Sequence, residues 1–472
     1  MIDLKNLTIE KAHKDFLDGV YTCRELSEAY LKVIQNKNKE INAYLEVYDD
    51  VLAQADIAQK KFFDGSATLM TGIPVAIKDN ILFTGHIASA GSRILENYTA
   101  SYNAFVIEKL KNEGAVLLGR TNMDEFAMGS STQTSAFGVT RNPIDPSRVP
   151  GGSSGGSAAA LAADMSLVAL GTETCGSVRE PAAFCGLVGL KPTYGAVSRN
   201  GIIAMGNSLD QVSPFGKNVR DAEIVFNLLS KYDAQDSTSI PDTLRKPKSK
   251  KSNGKSIGVP WHLFAEGVDP LIMENFKHSM DKLQKAGYEI INIELPFSKY
   301  SLEAYYIIMP AEVSTNLARF DGIRYGYSAK GENLKEIYMK SRGQGFGREA
   351  RRRILLGTYV LSHGYYDAYY NKAIKVREKI KTEIIKAFET VDLIATPTAP
   401  MVAFKLGEKL DDPVAMYLCD IFSAPANLSG VPSIALPSGN TEEGLPFSIQ
   451  FMASHFSENT LFEVGKKFEE IR

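Results

Sequence analysis

The sequence is poor in the residue types that most often carry nucleophilic, redox or metal chemistry. Among 472 residues there are only four cysteines, six histidines and one tryptophan. The cysteines, Cys23, Cys175, Cys185 and Cys419, are scattered without CxxC spacing, which indicates neither a disulfide framework nor a zinc site. We therefore expect no metal ion in this chain. A net charge of −2 also lacks the basic excess with which many proteins bind nucleic acid.

Long apolar runs are missing as well. The first residues, MIDLKNLTIEKAHKDF, contain no apolar signal-peptide core. No run approaches the roughly 18 apolar residues that a membrane span needs. We expect a cytoplasmic protein with no membrane contact. The composition, 44% hydrophobic and 23% charged, is ordinary for a globular protein with a large core.

The chain changes texture along its length. Residues 1–65 predict helices, and TCRE at 22–25 predicts a capping box ahead of apolar residues at helical spacing. From Gly72 onward, short apolar runs alternate with helical segments, which is typical of α/β proteins. One polar and basic segment, 243–256, predicts a surface loop. Because the α/β texture resumes after each helical insert, we expect one large domain.

The densest block of small residues lies between Val149 and Gly176. Its segment GGSSGGSAAALAA predicts a glycine turn ahead of a helix that starts near Ser157, and such a turn offers backbone N–H groups to an anion or oxyanion. A Walker phosphate loop would need a lysine here, and none is present. The block also matches the GxSxG nucleophile elbow, but an elbow follows a strand, and the preceding RNPIDPSRVP contains three prolines. Neither interpretation fits the context.

Two nucleophiles compete at the end of this block, Cys175 and Ser177. No histidine lies between residues 123 and 202 to ionise the thiol, so Cys175 is more simply a small buried hydrophobe. Ser177 follows the strand-like SLVALGTET and precedes a short helix. The backbone amides of the turn before it would point at the same spot and form an oxyanion hole. That turn consists of Thr174, Cys175 and Gly176.

A base for this serine is available in Lys78. The residue follows PVAI, which predicts a buried strand. Burial lowers the pKa of a lysine, so that the neutral amine can accept a proton. The spacing alone equally allows a strand-end lysine whose ammonium reaches water.

The segments GGSSGGSAAA and GSVREPAAFCGLVGLKPTYG resemble the amidase signature family. The resemblance implies a single α/β domain over residues 1–472, with a central mixed β-sheet covered by helices on both faces. It also implies a Ser-cisSer-Lys triad. Ser177 in CGSVR would be the nucleophile, Ser153 in GGSSGG the bridging serine after a cis peptide, and Lys78 in VAIKDN the base. Lys78 would then take a proton from Ser153, which takes one from Ser177.

Longer segments, among them TNMDEFAMGSST and AEVSTNLARFDGIRYG, are similar to the glutaminase subunits of tRNA-dependent amidotransferases. The resemblance implies hydrolysis of glutamine to glutamate and ammonia for amidation of Glu-tRNA(Gln), Asp-tRNA(Asn) or both. It implies a heterotrimer with subunits B and C. ATP and Mg would belong to a partner, as would most tRNA contacts, and this chain would carry no cofactor. A stand-alone amidase acting on small amides is the alternative. A non-catalytic binding protein would be expected to lose Lys78 or a serine of the triad.

The same resemblance assigns a glutamine pocket. Arg353 would pair with the substrate α-carboxylate, Asp420 would hold the α-ammonium, and Tyr305 would line the site. From the residues alone, Arg353 and its two arginine neighbours are helix-surface charges and Tyr305 is core packing.

Three residues of the key loop depart from the family pattern. Cys175 stands where glycine is usual, Glu173 where aspartate is usual and Glu180 where glutamine is usual. A positive φ at residue 175 would strain a cysteine.

Overall fold

An eleven-stranded mixed sheet runs through the computed structural model, which describes residues 2–247, 255–264 and 267–472. In chain order the strands are β1 (Tyr44–Val47), β2 (Pro74–Lys78), β3 (Val116–Thr121), β4 (Val168–Glu173), β5 (Val188–Lys191), β6 (Gln211–Gly216), β7 (Ser256–Val259), β8 (Glu289–Asn292), β9 (Leu393–Pro397), β10 (Ser433–Asn440) and β11 (Pro446–Ala453). Their order across the sheet is β1-β3-β2-β4-β6-β5-β10-β11-β9-β7-β8. β2 is parallel to β3 and β4, and β7 is parallel to β8 and β9, whereas the other neighbours are antiparallel.

Fifteen α-helices lie in the described ranges. They are α1 (Ile9–Leu17), α2 (Cys23–Ile41), α3 (Val51–Phe63), α4 (Phe105–Glu113), α5 (Gly155–Ala162), α6 (Arg179–Cys185), α7 (Val219–Leu229), α8 (Pro270–Lys285), α9 (Ser301–Asn316), α10 (Leu334–Gly345), α11 (Arg348–Val360), α12 (Asn371–Ala387), α13 (Pro413–Tyr417), α14 (Ala424–Ser429) and α15 (Glu458–Ile471). Within the described ranges, none of the helices is both long and apolar enough to cross a membrane.

Each face of the sheet buries its own apolar cluster. Leu393 and Ala395 of β9 belong to one cluster, and Ile394 between them belongs to another. Phe451 and Met452 of β11 divide in the same way. Successive side chains of a strand point to opposite faces, so both faces are covered. The predicted α/β class, with helices around a central mixed sheet, is confirmed.

Several predicted segments have different limits in the structure. The capping box is present, because Thr22 accepts from Glu25 N and the Glu25 side chain accepts from Thr22 N. The segment 1–65 holds three helices, but it also contributes β1, which pairs with β3. That strand is only four residues long, too short to show an alternating pattern. Of the predicted loop 243–256, residues 248–254 lie outside the described residues, and Ser256 already belongs to β7.

The helix predicted to start near Ser157 begins at Gly155. The glycines before it allow close contact with β3. A Cβ on Gly156 would lie 2.2 Å from Asn122 O, so only glycine fits there. This contact brings the GGSSGG turn against the carboxyl ends of β2 and β4.

Candidate active site

Lys78 is the last residue of β2 and is fully buried. Its Nζ donates to Ser153 Oγ at 2.8 Å and to Ser154 Oγ at 2.7 Å. A third bond, of 3.0 Å, goes to the Thr172 carbonyl of the neighbouring parallel strand β4. The ammonium therefore points into the protein and does not reach water.

Burial is the main influence on this lysine. It lowers the pKa of Lys78 to about 7, although the charges of Asp124, Asp210 and Glu173 act in the opposite direction. Near neutral pH a large fraction of the side chain is thus the neutral amine. A lysine in this state can accept a proton from a hydroxyl.

The two serines that contact Lys78 differ in their other bonds. Ser154 Oγ donates to Thr172 O at 3.1 Å, so its hydrogen is already used. Ser153 follows a cis peptide bond after Gly152, and its Oγ has no hydrogen bond other than the one from Lys78 in the described part of the chain. Ser153 is therefore the serine free to pass a proton on. Sequence analysis did not consider Ser154, although the SS pair in GGSSGG was visible.

Ser177 lies between β4 and α6, beside these serines. Its carbonyl accepts from Ser154 N at 3.1 Å. No hydrogen bond joins Ser153 Oγ to Ser177 Oγ among the residues that the structure describes, while the backbone contact holds the two segments together. All three predicted triad residues are buried. The structure thus links Lys78 directly to Ser153 and sets Ser177 next to them. Catalytic hydrogen bonds often tighten only when substrate is bound.

The turn before Ser177 presents free backbone amides. Within the described residues, the N–H groups of Thr174, Cys175, Gly176 and Ser177 donate to no acceptor of the chain. Buried amides without partners are rare in proteins, and a row of them suits a developing oxyanion. The positive φ of the turn, 76°, falls on Gly176 and not on Cys175, so the cysteine is not strained.

Cys175 is buried and poorly suited to be a nucleophile. Burial raises the pKa of its thiol well above the ordinary value, and the Asp420 charge raises it further. Its Sγ lies 3.8 Å from Ser423 Oγ. Because the thiolate is the reactive form, this environment disfavours attack by sulfur.

A buried ion pair shapes the turn. Arg179 Nη2 lies 2.5 Å from Glu173 Oε1, and both side chains are inaccessible to solvent. Glu173 Oε2 accepts from the backbone of Val178 at 3.1 Å and of Arg179 at 3.2 Å. Although burial opposes it, the Arg179 charge holds the pKa of Glu173 below its usual range. Sequence analysis noted Glu173 as unusual but did not foresee this pair.

Arg353 lies on α11 with one edge of its guanidinium held and another free. Its Nε donates to Glu349 at 2.7 Å, and the group lies 5.3 Å from the ring centroids of both Tyr306 and Tyr417. Nη2 donates to no acceptor within the described ranges. Arg353, Tyr417 and Ser131 line a cavity of about 370 Å³. This arrangement can receive a carboxylate through the planar fork.

Asp420 ends a 3₁₀ turn, Leu418–Asp420, after α13. Its Oδ2 accepts from Tyr306 OH at 2.8 Å and from Ser130 Oγ at 3.4 Å. Burial raises the pKa of Asp420 to about 7. Tyr305 donates to Thr174 Oγ1 at 3.2 Å and so contacts the oxyanion turn.

Tyr306 is the pocket residue that sequence analysis missed. It contacts both Arg353 and Asp420, whereas its neighbour Tyr305 faces the turn. The YY pair was the available signal, but a helix pattern alone does not say that both members are used. The relay residues do not line the 370 Å³ cavity, which reaches Arg353 and Ser131. Among the described side chains, no group of three or more His, Cys, Asp or Glu is placed to hold a metal ion.

Comparison with known proteins gives consistent matches. The Amidase family model matches residues 25–462. The A subunit of the Thermoanaerobacter pseudethanolicus glutamyl-tRNA(Gln) amidotransferase is 49% identical over 475 residues, which cover 99% of this chain and 97% of that protein. The protein of the same name from Methanosarcina mazei is 50% identical over 450 residues, with 95% and 93% covered.

Solved structures agree in fold. The crystal structure of the glutamyl-tRNA(Gln) amidotransferase A subunit from Thermotoga maritima superposes with a TM-score of 0.79 at 39% identity, covering 98% of this chain and 94% of that one. A peptide amidase from Stenotrophomonas maltophilia gives a TM-score of 0.81 at 27% identity, with 99% and 97% covered.

Proposed function

Since the chain belongs to the amidase family, we propose that it is the glutaminase subunit of a tRNA-dependent amidotransferase. It hydrolyses glutamine to glutamate and ammonia, and the ammonia amidates the misacylated Glu-tRNA(Gln), Asp-tRNA(Asn) or both. The observation that carries the proposal is the contact of the buried Lys78 amine with Ser153, beside Ser177 and the free amides of its turn. Relatives near half identity over almost the whole chain support the substrate.

The relay begins with the neutral amine of Lys78. Lys78 accepts the hydroxyl proton of Ser153 while Ser153 accepts that of Ser177. Ser177 Oγ attacks the side-chain carbonyl carbon of glutamine, and the negative charge on the carbonyl oxygen meets the free amides of residues 174–176. The C–N bond then breaks, and the leaving nitrogen takes the proton back through Ser153. Ammonia leaves and a glutamyl ester on Ser177 remains.

Water completes the cycle. The relay removes a proton from the water molecule as it attacks the ester, and the proton returns to Ser177 Oγ when glutamate leaves. Ser177 is regenerated and the atoms balance: glutamine and water give glutamate and ammonia.

The pocket explains why glutamine is preferred to a simple amide. Arg353 offers a free edge to the α-carboxylate, Asp420 offers a buried acceptor to the α-ammonium, and Tyr305 supports the turn. Each of these groups is desolvated, so a ligand lacking its partner charge leaves it unsatisfied.

The remaining parts of the reaction belong elsewhere. We propose that the chain acts in the cytoplasm with subunits B and C, and that a partner supplies ATP, Mg²⁺ and most of the contacts with tRNA. This chain needs no cofactor for amide hydrolysis.

The test compares glutaminase activity of the chain alone and with its partner subunits. We expect weak hydrolysis of glutamine alone and faster hydrolysis in the complex, together with amidation of the misacylated tRNA. A stand-alone amidase would show equal activity in both cases and would prefer simple amides to glutamine. That result would contradict the proposal.

A further inference from the structure

A second acidic side chain lies beside the pocket without a role in the relay. Glu180 is in the first turn of α6 and only 2% exposed. Neither Oε1 nor Oε2 has a hydrogen-bond partner among the residues that the structure describes. Burying a polar group without a partner costs its full desolvation free energy, so such an acid suggests a partner that binds later.

Glu180 belongs to the same wall as Asp420. Asp420, followed by Asp124, is the charged neighbour that most disfavours ionisation of Glu180. The glycine turn packs on both sides of this wall. A Cβ on Gly151 would lie 3.3 Å from Glu180 C, and one on Gly152 would lie 2.4 Å from Ser131 N. Ser131 in turn lines the 370 Å³ cavity.

This wall carries unsatisfied oxygen atoms and no free donor of positive charge. Asp420 Oδ1 and Ser131 Oγ, like both Glu180 oxygens, have no partner in the described part of the chain. A group that would satisfy them must bring several N–H donors and a positive charge. A primary ammonium brings three donors and one charge.

We propose that Glu180 is a specificity-determining residue of the pocket, and that one of its oxygens accepts a hydrogen bond from the α-ammonium of the substrate while Asp420 supplies the opposite charge. The inference rests on the proposed function, since it takes an amino acid as the substrate. It goes beyond that function by adding Glu180 to the groups that choose it.

The two acids divide the work by their ionisation. Burial, Asp420 and Asp124 raise the pKa of Glu180 well above its ordinary value, although the Gly152 N–H acts in the opposite direction, so the side chain is a neutral acid whose carbonyl oxygen accepts. Asp420 also feels the Arg353 charge, which favours its ionised form. A glutamine side chain has nearly the same shape and also offers an acceptor oxygen. Glu180→Gln is therefore the matched control.

The experiment measures binding and not turnover. In the full chain with Ser177→Ala, calorimetry follows glutamine and 4-carbamoylbutanoate, which has the same amide and carboxylate but no ammonium. Glu180→Met removes the acceptor at similar length. We expect it to weaken glutamine binding at least about tenfold, the size of one hydrogen bond to a charged group, and to leave the analogue within about twofold. Glu180→Gln should stay within about threefold of the parent for both ligands.

Equal weakening of both ligands by Glu180→Met, or no weakening of either, would overturn the proposal. So would a Glu180→Gln chain that binds glutamine as poorly as the methionine variant. If the methionine variant does not fold, Glu180→Ala takes its place with the same expected outcome. A Ser177→Ala parent that binds neither ligand would overturn both this inference and the proposed function, whereas normal glutamine turnover with no effect at Glu180 would overturn the inference alone.

Discussion

The relay and the glutamine pocket are both buried, but different parts of the fold hold them. Lys78 ends a strand, and both Ser153 and Ser177 lie in turns tied to strands by backbone bonds. Arg353 and Tyr306 instead project from α11 and α9, and Asp420 lies in a short turn. The relay is thus built on the sheet, and the pocket on helices packed against it.

This difference separates chemistry from selection. Damage to the relay should stop hydrolysis of every amide. Damage to the pocket should affect only substrates that carry the α-carboxylate and the α-ammonium. Each prediction below tests one side of that division.

The largest effect is expected at Lys78. Lys78→Met removes the base while keeping the length of a buried side chain, and should lower kcat on glutamine and on butanamide by about 10⁴-fold. Lys191 is the matched control. It is also fully buried, and burial also lowers its pKa to about 7, but its Nζ bonds only the Pro192 carbonyl. Lys191→Met should keep kcat within about fivefold because general-base catalysis needs a hydroxyl in reach. Similar losses in both variants would mean that buried charge alone matters.

The two serines around Lys78 give a second matched pair. Ser153→Ala should lower kcat about 10³-fold on any amide, because the proton path is cut. Ser154→Ala should cost about tenfold, because its hydrogen is already bonded to Thr172 O and it only positions the amine. Steady-state kinetics of both variants provide the comparison, and a larger loss at Ser154 would exchange their roles.

In the pocket, the expected losses depend on the substrate. Asp420→Asn removes the charge without changing the shape, and Arg353→Lys keeps the charge but removes the planar fork. Each should lower kcat/KM for glutamine by about a hundredfold, which corresponds to breaking a desolvated charge pair. Hydrolysis of butanamide should change less than about threefold. If both substrates suffer equally, the pocket and the relay are not separable.

The smallest effect is the pH dependence. Burial lowers the pKa of Lys78 to about 7, so the active amine is lost as the pH falls through that value. Turnover of butanamide should therefore fall about tenfold per pH unit well below 7. Burial raises the pKa of Asp420 to about 7, so the carboxylate that holds the ammonium is lost in the same range. Hence kcat/KM for glutamine should fall more steeply than that for butanamide, and parallel profiles would argue against a role for Asp420.

Sequence reasoning reached the relay more fully than the pocket, for a physical reason. Lys78 and Ser177 lie next to short apolar strands, so local pattern already indicated burial and an adjoining turn. Tyr306, Ser154 and the Glu173–Arg179 pair act through contacts between distant segments, which no local pattern contains. β1 was missed because four residues do not establish a period. Choosing Arg353 among three arginines required the family resemblance, and its burial is a tertiary property.

The central claim is that Ser177, and not Cys175, carries the acyl group. The most direct measurement is to trap the enzyme with a glutamine-derived electrophile and to map the modified peptide by mass spectrometry. The account predicts a label on Ser177 in the natural chain and in Cys175→Ala, with activity of the latter within about threefold because only its backbone amide is used. A label on Cys175 with Ser177 unmodified would contradict the account.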